Sequence, residues 1–267
     1  MNNDNNSKEY KNELVRVSFP EKRVALLTLN NPPLNVITLA LSAELKETLA
    51  AINADSDIRV VVITGSGERA FSVGADVGEF PQVWDDVIGK KLQKENEVYN
   101  DVEFLDKPVI AAMEGVVCGG GVELAMACDL RILSARGKMA LPEINLGVFP
   151  GSGGLFRLPK FVGKAKAMEL MFTGEFIDAD ECLRIGLVNR LAHAGEALRA
   201  SLELAKTIAG KPFEALKLIK RGVREIGQAP TEQCFEQNLA YSRRIFQTED
   251  CAEGVDAFFH KRKPDFK

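Results

Sequence analysis

Histidine is scarce in this sequence, and its scarcity narrows the chemistry that the chain can carry out. Only His193 and His260 occur among 267 residues, and they lie far apart along the chain. Most catalytic zinc sites and many activated nucleophiles depend on this side chain. We therefore predict no metal site and no nucleophile that is activated by histidine.

Cysteine is also rare, and its spacing is not that of a metal site or a disulfide framework. The cysteines form no Cys-x-x-Cys pair, and their number is odd. Reduced thiols are typical of proteins in a reducing compartment. We therefore expect a cytoplasmic protein with free thiols at Cys118, Cys128, Cys182, Cys234 and Cys251.

Long apolar runs and an excess of positive charge are both missing. No run of about 18 or more apolar residues occurs, and residues 1–13 resemble neither a signal peptide nor a transit peptide. The chain has 34 Lys and Arg against 38 Asp and Glu, which gives a net charge of −4. These features predict no membrane partner and no nucleic-acid partner.

Apolar patterns divide the chain into an α/β part and a helical part. Residues 1–12 are polar and predict a disordered tail. Residues 13–193 alternate between buried strands and amphipathic helices, which is typical of α/β layering. The predicted elements there are a hairpin of Leu14–Phe19 with Arg23–Leu29, a helix over 39–52, a strand over 60–63, a helical stretch over much of 81–104 and a strand over 108–113.

The last part, residues 194–267, contains helical windows only. These windows cover 195–209, 212–226, 231–247 and 250–262. Because the windows carry apolar stripes and little else, we expect this region to pack against another subunit and to serve oligomerisation.

Two glycine-rich segments follow predicted strands. They are Ala70–Asp76 and Glu114–Asp129, and the second has three consecutive glycines at the start of a predicted helix. A tight turn alone would explain such glycines. A helix N-terminus also leaves backbone N–H groups unpaired, and glycines let a ligand oxygen approach them, which suits a phosphate or a developing oxyanion.

Two glutamates near these glycines indicate proton transfer. Glu123 lies one helical turn beyond Gly120, and Glu143 follows a proline in an apolar segment. The motifs of phosphate-binding loops are absent from both glycine-rich segments. Taken alone, a carboxylate such as Glu143 is usually a surface residue or a helix N-terminal acid. If both acids are buried together, each gains proton affinity, as a general acid/base pair near neutral pH requires.

At these residues the sequence resembles the crotonase superfamily, and within it enoyl-CoA hydratase. The resemblance extends from about residue 14 to the end of the chain. It depends on several motifs in order, namely Ala70–Asp76, Pro108–Asp129, Leu141–Gly154, Leu170–Gly174, Gly186–Val188, Glu253–Gly254 and Phe258–Phe266. The fold that it implies is an α/β spiral of ββα units with a C-terminal helical region, assembled as homotrimers or dimers of trimers.

The resemblance also implies a role for each matching residue. The backbone N–H groups of Ala75 and Gly120 would form an oxyanion hole for the thioester oxygen. Glu123 would orient and activate a water, Glu143 would protonate the α-carbon, and the N–H of Gly151 would lie near that water. The acyl-CoA substrate would bind along Ala75, Asp76, Val77, Gly78 and Gly120. Coenzyme A is then part of the substrate, and no separate cofactor is expected.

Some positions depart from the hydratase pattern. Leu141 replaces a frequent Gln and is expected to make the pocket beside Glu143 more apolar, and Gly78 replaces a polar residue that would contact coenzyme A. The basic residues Lys261, Arg262 and Lys263 are alternative partners for the phosphates or simply a solvated patch. Residues that line the acyl pocket or pack in the core are Val77, Phe80, Trp84 and Phe149.

The function that the resemblance favours is syn addition of water across the 2,3 double bond of an α,β-unsaturated acyl-CoA, as in fatty-acid β-oxidation. Alternatives within the family are double-bond isomerisation and hydration of a cyclic, aromatic-pathway or carnitine-derived acyl-CoA. A structural oligomer without activity and an RNA-binding relative belong to other classes. The second would use a basic surface, for which Lys90, Lys91 and Lys94 are the candidates, although a solvated helix face also explains them.

Overall fold

The structure, a computed structural model, describes residues 12–225 and 231–267, and it describes only the backbone at positions 231, 232, 234 and 235. The tail predicted over 1–12 therefore lies outside the described residues except for Asn12. The side-chain amide of Asn12 donates a hydrogen bond of 2.6 Å to Thr48 Oγ1. This last residue of the predicted tail is thus held on the folded part of the chain.

Ten strands in the described part of the chain form two sheets. A six-stranded sheet has the order β1-β2-β3-β5-β7-β10, and a four-stranded sheet has the order β4-β6-β8-β9. The strands are β1 (Val15–Glu21), β2 (Val24–Leu29), β3 (Val60–Gly65), β4 (Ala70–Ser72), β5 (Val109–Met113), β6 (Val116–Cys118), β7 (Leu130–Ser134), β8 (Lys138–Ala140), β9 (Ile177–Asp178) and β10 (Arg190–Ala192). The predicted hairpin is confirmed, because β1 and β2 pair antiparallel.

The strands repeat in pairs along the chain. In each of the pairs β3–β4, β5–β6 and β7–β8, the first strand joins the large sheet and the second joins the small one. Neighbouring first strands run parallel, as do neighbouring second strands. A helical segment follows each pair, so the chain winds as a spiral of ββα units, and the predicted fold class is confirmed.

Eleven α-helices complete the described residues. They are α1 (Leu39–Ala54), α2 (Phe80–Val83), α3 (Gln93–Phe104), α4 (Gly120–Ala127), α5 (Gly154–Val162), α6 (Lys164–Thr173), α7 (Ala179–Arg184), α8 (Ala197–Ala209), α9 (Phe213–Glu225), α10 (Thr231–Ile245) and α11 (Glu249–Phe259). None of these described helices is both long and apolar enough to cross a membrane.

The large sheet is buried on both faces, as its apolar runs predict. Val61 and Ile63 on one face of β3 belong to the main core, whereas Val60 and Val62 on the other face pack with α8. Because α8 covers the sheet, the α/β part extends beyond residue 193. The predicted division at residue 194 therefore separates α8 from the sheet on which it packs.

The helical stretch predicted over much of 81–104 is confirmed, although it is not one regular helix. The chain forms α2, a 3₁₀ turn at Trp84–Asp86 and a π turn at Ile88–Leu92 before the regular helix α3 begins. Pro81 lies in the first turn of α2, and Asp86 Oδ1 accepts a 2.9 Å hydrogen bond from the N–H of Gly89. A side-chain acceptor thus replaces the regular backbone pattern, and the irregular stretch forms a wall of the cavity described below.

Candidate active site

The glycines at the start of α4 bring two backbone segments into close contact. Gly119 has φ +53°, and its N–H donates to the carbonyl of Ala140 at 3.0 Å. A Cβ placed on Gly74 would lie 2.6 Å from the nitrogen of Gly120, and a Cβ on Gly120 would lie 3.4 Å from the nitrogen of Ala75. Gly74 is therefore needed for this close backbone approach, which places the two predicted oxyanion-hole residues side by side.

Among the described residues, the N–H groups of Ala75 and Gly120 point away from the backbone partners of their own segments. Gly120 is the first residue of α4, so its N–H has no intrahelical partner. On either side of Ala75, the carbonyl of Gly74 and the N–H of Asp76 bond to Ile37, at 2.8 and 3.0 Å. Because successive N–H groups of an extended chain point to opposite sides, the N–H of Ala75 points away from Ile37.

One cavity of about 610 Å³ collects most of the predicted site residues. Ala75, Gly120, Glu123, Glu143 and Gly151 all line it. Its other walls are mainly apolar, as suits the acyl chain of a thioester. They include all four residues that the sequence offered for an acyl pocket, Val77, Phe80, Trp84 and Phe149.

Glu123 is a deeply buried acid of this cavity. It is only 3% exposed, and its Oε1 accepts a 2.7 Å hydrogen bond from the N–H of Gly154. Burial, together with the charges of Glu143 and Glu95, raises the pKa of Glu123 to about 8, although the backbone donors Gly154 and Ser152 oppose this rise. At neutral pH this carboxyl therefore holds a proton.

Glu143 lines the same cavity in a less enclosed setting. It stands in a 3₁₀ turn, Pro142–Leu146, and its Oε1 lies 3.2 Å from the position that a Cβ on Gly119 would take. Its Oε2 is buried without a hydrogen-bond partner among the described residues. Burial raises the pKa of Glu143 as well, but this side chain is more exposed than that of Glu123. The free protein therefore favours the proton on Glu123.

The segment predicted to bind coenzyme A lies at the surface beside the cavity. Asp76 Oδ1 accepts a 2.8 Å hydrogen bond from the N–H of Gly78, so the acid caps its own turn. Ala75 and Val77 line the cavity. Of the basic residues near the C-terminus, Arg262 pairs with Glu253 and Asp256 at 2.6 Å each.

Two expectations about single residues are wrong. Leu141 packs in the main core and lines a separate small void with Val122 and Met139, and it is not among the residues that line the cavity. Lys91 is fully buried, with Nζ 2.7 Å from Glu79 Oε2 and 3.2 Å from Glu95 Oε1. Lys90, Lys91 and Lys94 therefore form neither a basic surface nor one solvated helix face.

Sequence reasoning missed the polar groups behind the two acids. Glu95 lines the cavity at 1% exposure, and its Oε2 accepts a 2.9 Å hydrogen bond from Ser152 Oγ. One signal was available. Lys91, Glu95 and Tyr99 follow each other at four-residue spacing, so two charged residues share a helix face with an aromatic one.

No cluster of three or more His, Cys, Asp or Glu within residues 12–225 and 231–267 has the arrangement of a metal site. The groups that line the apolar cavity are two acids and two residues with backbone N–H donors. Such a set suits a reaction that builds negative charge on an oxygen and moves protons at the neighbouring carbons.

Known proteins are similar to this chain in both sequence and fold. The family described as enoyl-CoA hydratase/isomerase matches residues 20–267. A short-chain-enoyl-CoA hydratase of Clostridium acetobutylicum is 37% identical over 91% of this chain and 94% of its own. A crotonyl-CoA hydratase of Syntrophomonas wolfei is 36% identical over 92% of this chain and 95% of its own.

The crystal structure of an enoyl-CoA hydratase from Bacillus anthracis superposes with a TM-score of 0.92 at 33% identity, covering 95% of this chain and 99% of that one. Fold, cavity and sequence thus agree with the crotonase resemblance. The chain belongs to the enoyl-CoA hydratase/isomerase family of enzymes.

Proposed function

We propose that this protein hydrates α,β-unsaturated acyl-CoA thioesters by syn addition of water across the 2,3 double bond. The observation that carries the proposal is the shared cavity, which is lined by Glu123 and Glu143 together with Ala75 and Gly120. Relatives with the names short-chain-enoyl-CoA and crotonyl-CoA hydratase support this reaction. The apolar walls suit an acyl chain, and the surface segment from Asp76 to Gly78 offers a path for coenzyme A.

The backbone donors act on the thioester carbonyl. Addition of water to the β-carbon pushes negative charge onto the carbonyl oxygen, and the N–H groups of Ala75 and Gly120 stabilise that charge as it develops. The donors are held in place by the backbone contact at Gly74, so little reorganisation is needed during the reaction. One donor of this kind is worth roughly 10²- to 10³-fold in rate.

The two acids work with one proton between them. As the water oxygen bonds to the β-carbon, Glu123 takes a proton from the water, and Glu143 gives its proton to the α-carbon. Hydration thus leaves the proton on Glu123, which is the arrangement that burial favours in the free protein. The same arrangement starts the reverse dehydration, and for another hydration the proton returns to Glu143. Gly151 lines the cavity and would place its N–H near the water.

A spectroscopic assay tests the reaction class. Adding the enzyme to crotonyl-CoA should remove the absorbance of the conjugated thioester, and the product should be the hydroxyacyl-CoA. A panel of acyl-CoAs that differ in length and ring content would define the acyl group. A shift of the double bond without uptake of water would favour the isomerase alternative, and no change with any member of the panel would contradict both.

Exposed apolar side chains support a homotrimer or a dimer of trimers. Large apolar side chains that do not line the cavity are exposed at several described positions, as is typical of a subunit interface. They include Leu155, Phe172, Val223, Phe246, Phe258 and Phe259. Light scattering of the purified protein would give the number of subunits.

A cytoplasmic location is supported by the cysteines. Cys118, Cys128, Cys182 and Cys251 are free thiols, whereas the side chain of Cys234 is outside the described residues. Free thiols persist in a reducing compartment. Fractionation of cells that produce the protein would test this location.

A further inference from the structure

The buried ammonium group of Lys91 connects Glu79, which follows the segment proposed for coenzyme A, with Glu95 of the cavity. Lys91 Nζ lies 2.7 Å from Glu79 Oε2 and 3.2 Å from Glu95 Oε1, and the lysine side chain is fully buried. Glu79 in turn accepts hydrogen bonds from the N–H of Leu39 at 3.1 Å. One positive charge thus serves two carboxylates, and the group as a whole keeps one negative charge beside the cavity.

Glu95 also bonds to the loop 151–154, which contacts Glu123. Its Oε2 accepts the hydrogen bond of Ser152 Oγ at 2.9 Å. Two residues later, the N–H of Gly154 donates to Glu123 Oε1 at 2.7 Å. The backbone of Ser152 also stabilises the Glu123 carboxylate. Three residues of one short loop therefore connect Glu95 to the acid of α4.

The same helix holds this loop at two further points. Asn96, next to Glu95, donates a 2.8 Å hydrogen bond to the carbonyl of Gly151. Arg157 donates to the carbonyl of Ser152 at 3.2 Å and is itself fixed by Glu103 of α3 at 2.8 Å. Hydrogen bonds thus hold the loop against α3 along its length. Among the described contacts, the Ser152 hydroxyl bonds to one charged group, the carboxylate of Glu95.

We propose that Glu95 is a positioning residue for the acid pair: through Ser152 it holds the loop 151–154 against Glu123, and its negative charge keeps the shared proton on Glu123. Glu95 exerts this effect through its neighbours. The proposal rests on the hydratase function proposed above, because it assigns a role around the same two acids.

The charge of Glu95 has a defined direction of effect. A neighbouring negative charge disfavours ionisation of Glu123, and Glu95 is among the groups that raise the pKa of Glu123. Other titratable or charged groups around Glu95 and Glu123 also act on the ionisation of these acids. In the described residues these are Glu79, Lys91, Tyr99, Glu143 and Arg157.

The test is a titration of Glu123 that does not need turnover. The infrared carbonyl band that disappears in Glu123→Gln identifies Glu123, and its pH titration can be followed in the full-length protein. In Glu95→Gln, which keeps an acceptor for Ser152 but removes the charge, the band should titrate lower by roughly half a unit to one unit. In Glu97→Gln, which removes an exposed acid of the same helix paired with Lys46, it should not move.

A second variant separates position from charge. Ser152→Ala keeps the charge of Glu95 and removes the tie to the loop, so kcat for hydration should fall roughly tenfold or more with little change in KM. It also serves if Glu95→Gln folds poorly, which a thermal melt would show. A Glu123 band that titrates at the wild-type pH in Glu95→Gln, or wild-type kcat in Ser152→Ala, overturns the proposal. Absence of hydration by the wild type would refute the proposed function, whereas the titration would still decide the role of Glu95.

Discussion

The N–H of Gly154 donates a 2.7 Å hydrogen bond to Oε1 of Glu123 and thereby joins α4 to the start of α5. Gly154 is the first residue of α5, so its N–H has no intrahelical acceptor and the carboxyl takes that place. A helix N-terminus favours a negative charge, which opposes the effect of burial on this acid. The acid of the cavity is therefore held in position by a structural contact that also tunes its ionisation.

Loss of either acid should slow hydration severely. Glu123→Gln and Glu143→Gln each remove one proton-transfer group, so kcat should fall by roughly 10²- to 10⁴-fold, whereas binding of the acyl-CoA should persist. Steady-state kinetics with crotonyl-CoA and calorimetric binding of a saturated acyl-CoA would measure the two effects. Wild-type kcat in either variant would refute the role given to that residue.

Crowding at Gly74 should disturb the two backbone donors. Gly74→Ala would place a Cβ 2.6 Å from the nitrogen of Gly120, so the donor pair must shift and kcat should fall. Gly67→Ala is a matched control, because Gly67 also has positive φ, +74° against +88°, but a Cβ there would meet no atom within 4 Å. Equal losses of kcat in both variants would mean that backbone strain alone explains the effect.

The rate of hydration should depend on pH through the acid pair. The reaction needs the pair to share one proton, and this state is lost once both acids are ionised. Since the pKa of Glu123 is raised to about 8, kcat/KM should decline above about pH 8. A pH profile of initial rates with crotonyl-CoA would show the decline, and a profile that stays level well beyond this pH would contradict it.

Glu123 should also make the fold less stable at high pH. Its pKa lies near 4.5 when exposed and about 8 in the native protein, so the native state binds the extra proton between these values. Stability from this group is complete below the lower value and is lost as the pH rises toward the upper one. Relative to the wild type, Glu123→Gln should gain unfolding free energy by up to about 1.4 kcal/mol per pH unit in this interval.

Urea unfolding would measure the difference in unfolding free energy between the wild type and Glu123→Gln at about pH 5 and about pH 8.5. Both proteins should be at the same protein concentration. The Gln side chain keeps an oxygen that can accept the hydrogen bond of Gly154, so the comparison isolates the ionisation. A difference between the two proteins that does not vary with pH would show that the native pKa of Glu123 is not raised.

Local sequence was enough to place the core of the site. The strand runs at 60–63 and 108–113 and the glycines after them are short-range signals, and the four residues offered for an acyl pocket all line the cavity. Glu123 could be placed on the helix because it lies three residues after Gly120 in the same helical turn.

The polar support of the site could not be predicted from local patterns. A lysine such as Lys91 is expected at the surface. It is buried here because the fold brings two carboxylates to it, those of Glu79, twelve residues before it, and Glu95, four residues after it. The break in the helical stretch over 81–104 coincides with a hydrogen bond that the N–H of Gly89 donates to the Asp86 carboxylate, and periodicity does not reveal this bond. The position of Leu141 could not be predicted locally either, because the residues that bury it in the core are far away in sequence.

The most direct test of the central claim is the isotopic content of the product formed from crotonyl-CoA in heavy-isotope water. The proposed roles of Glu123 and Glu143 predict one oxygen from water on the β-carbon and one solvent hydrogen on the α-carbon, added to the same face of the double bond. A product that has a displaced double bond and no oxygen from water would contradict the account.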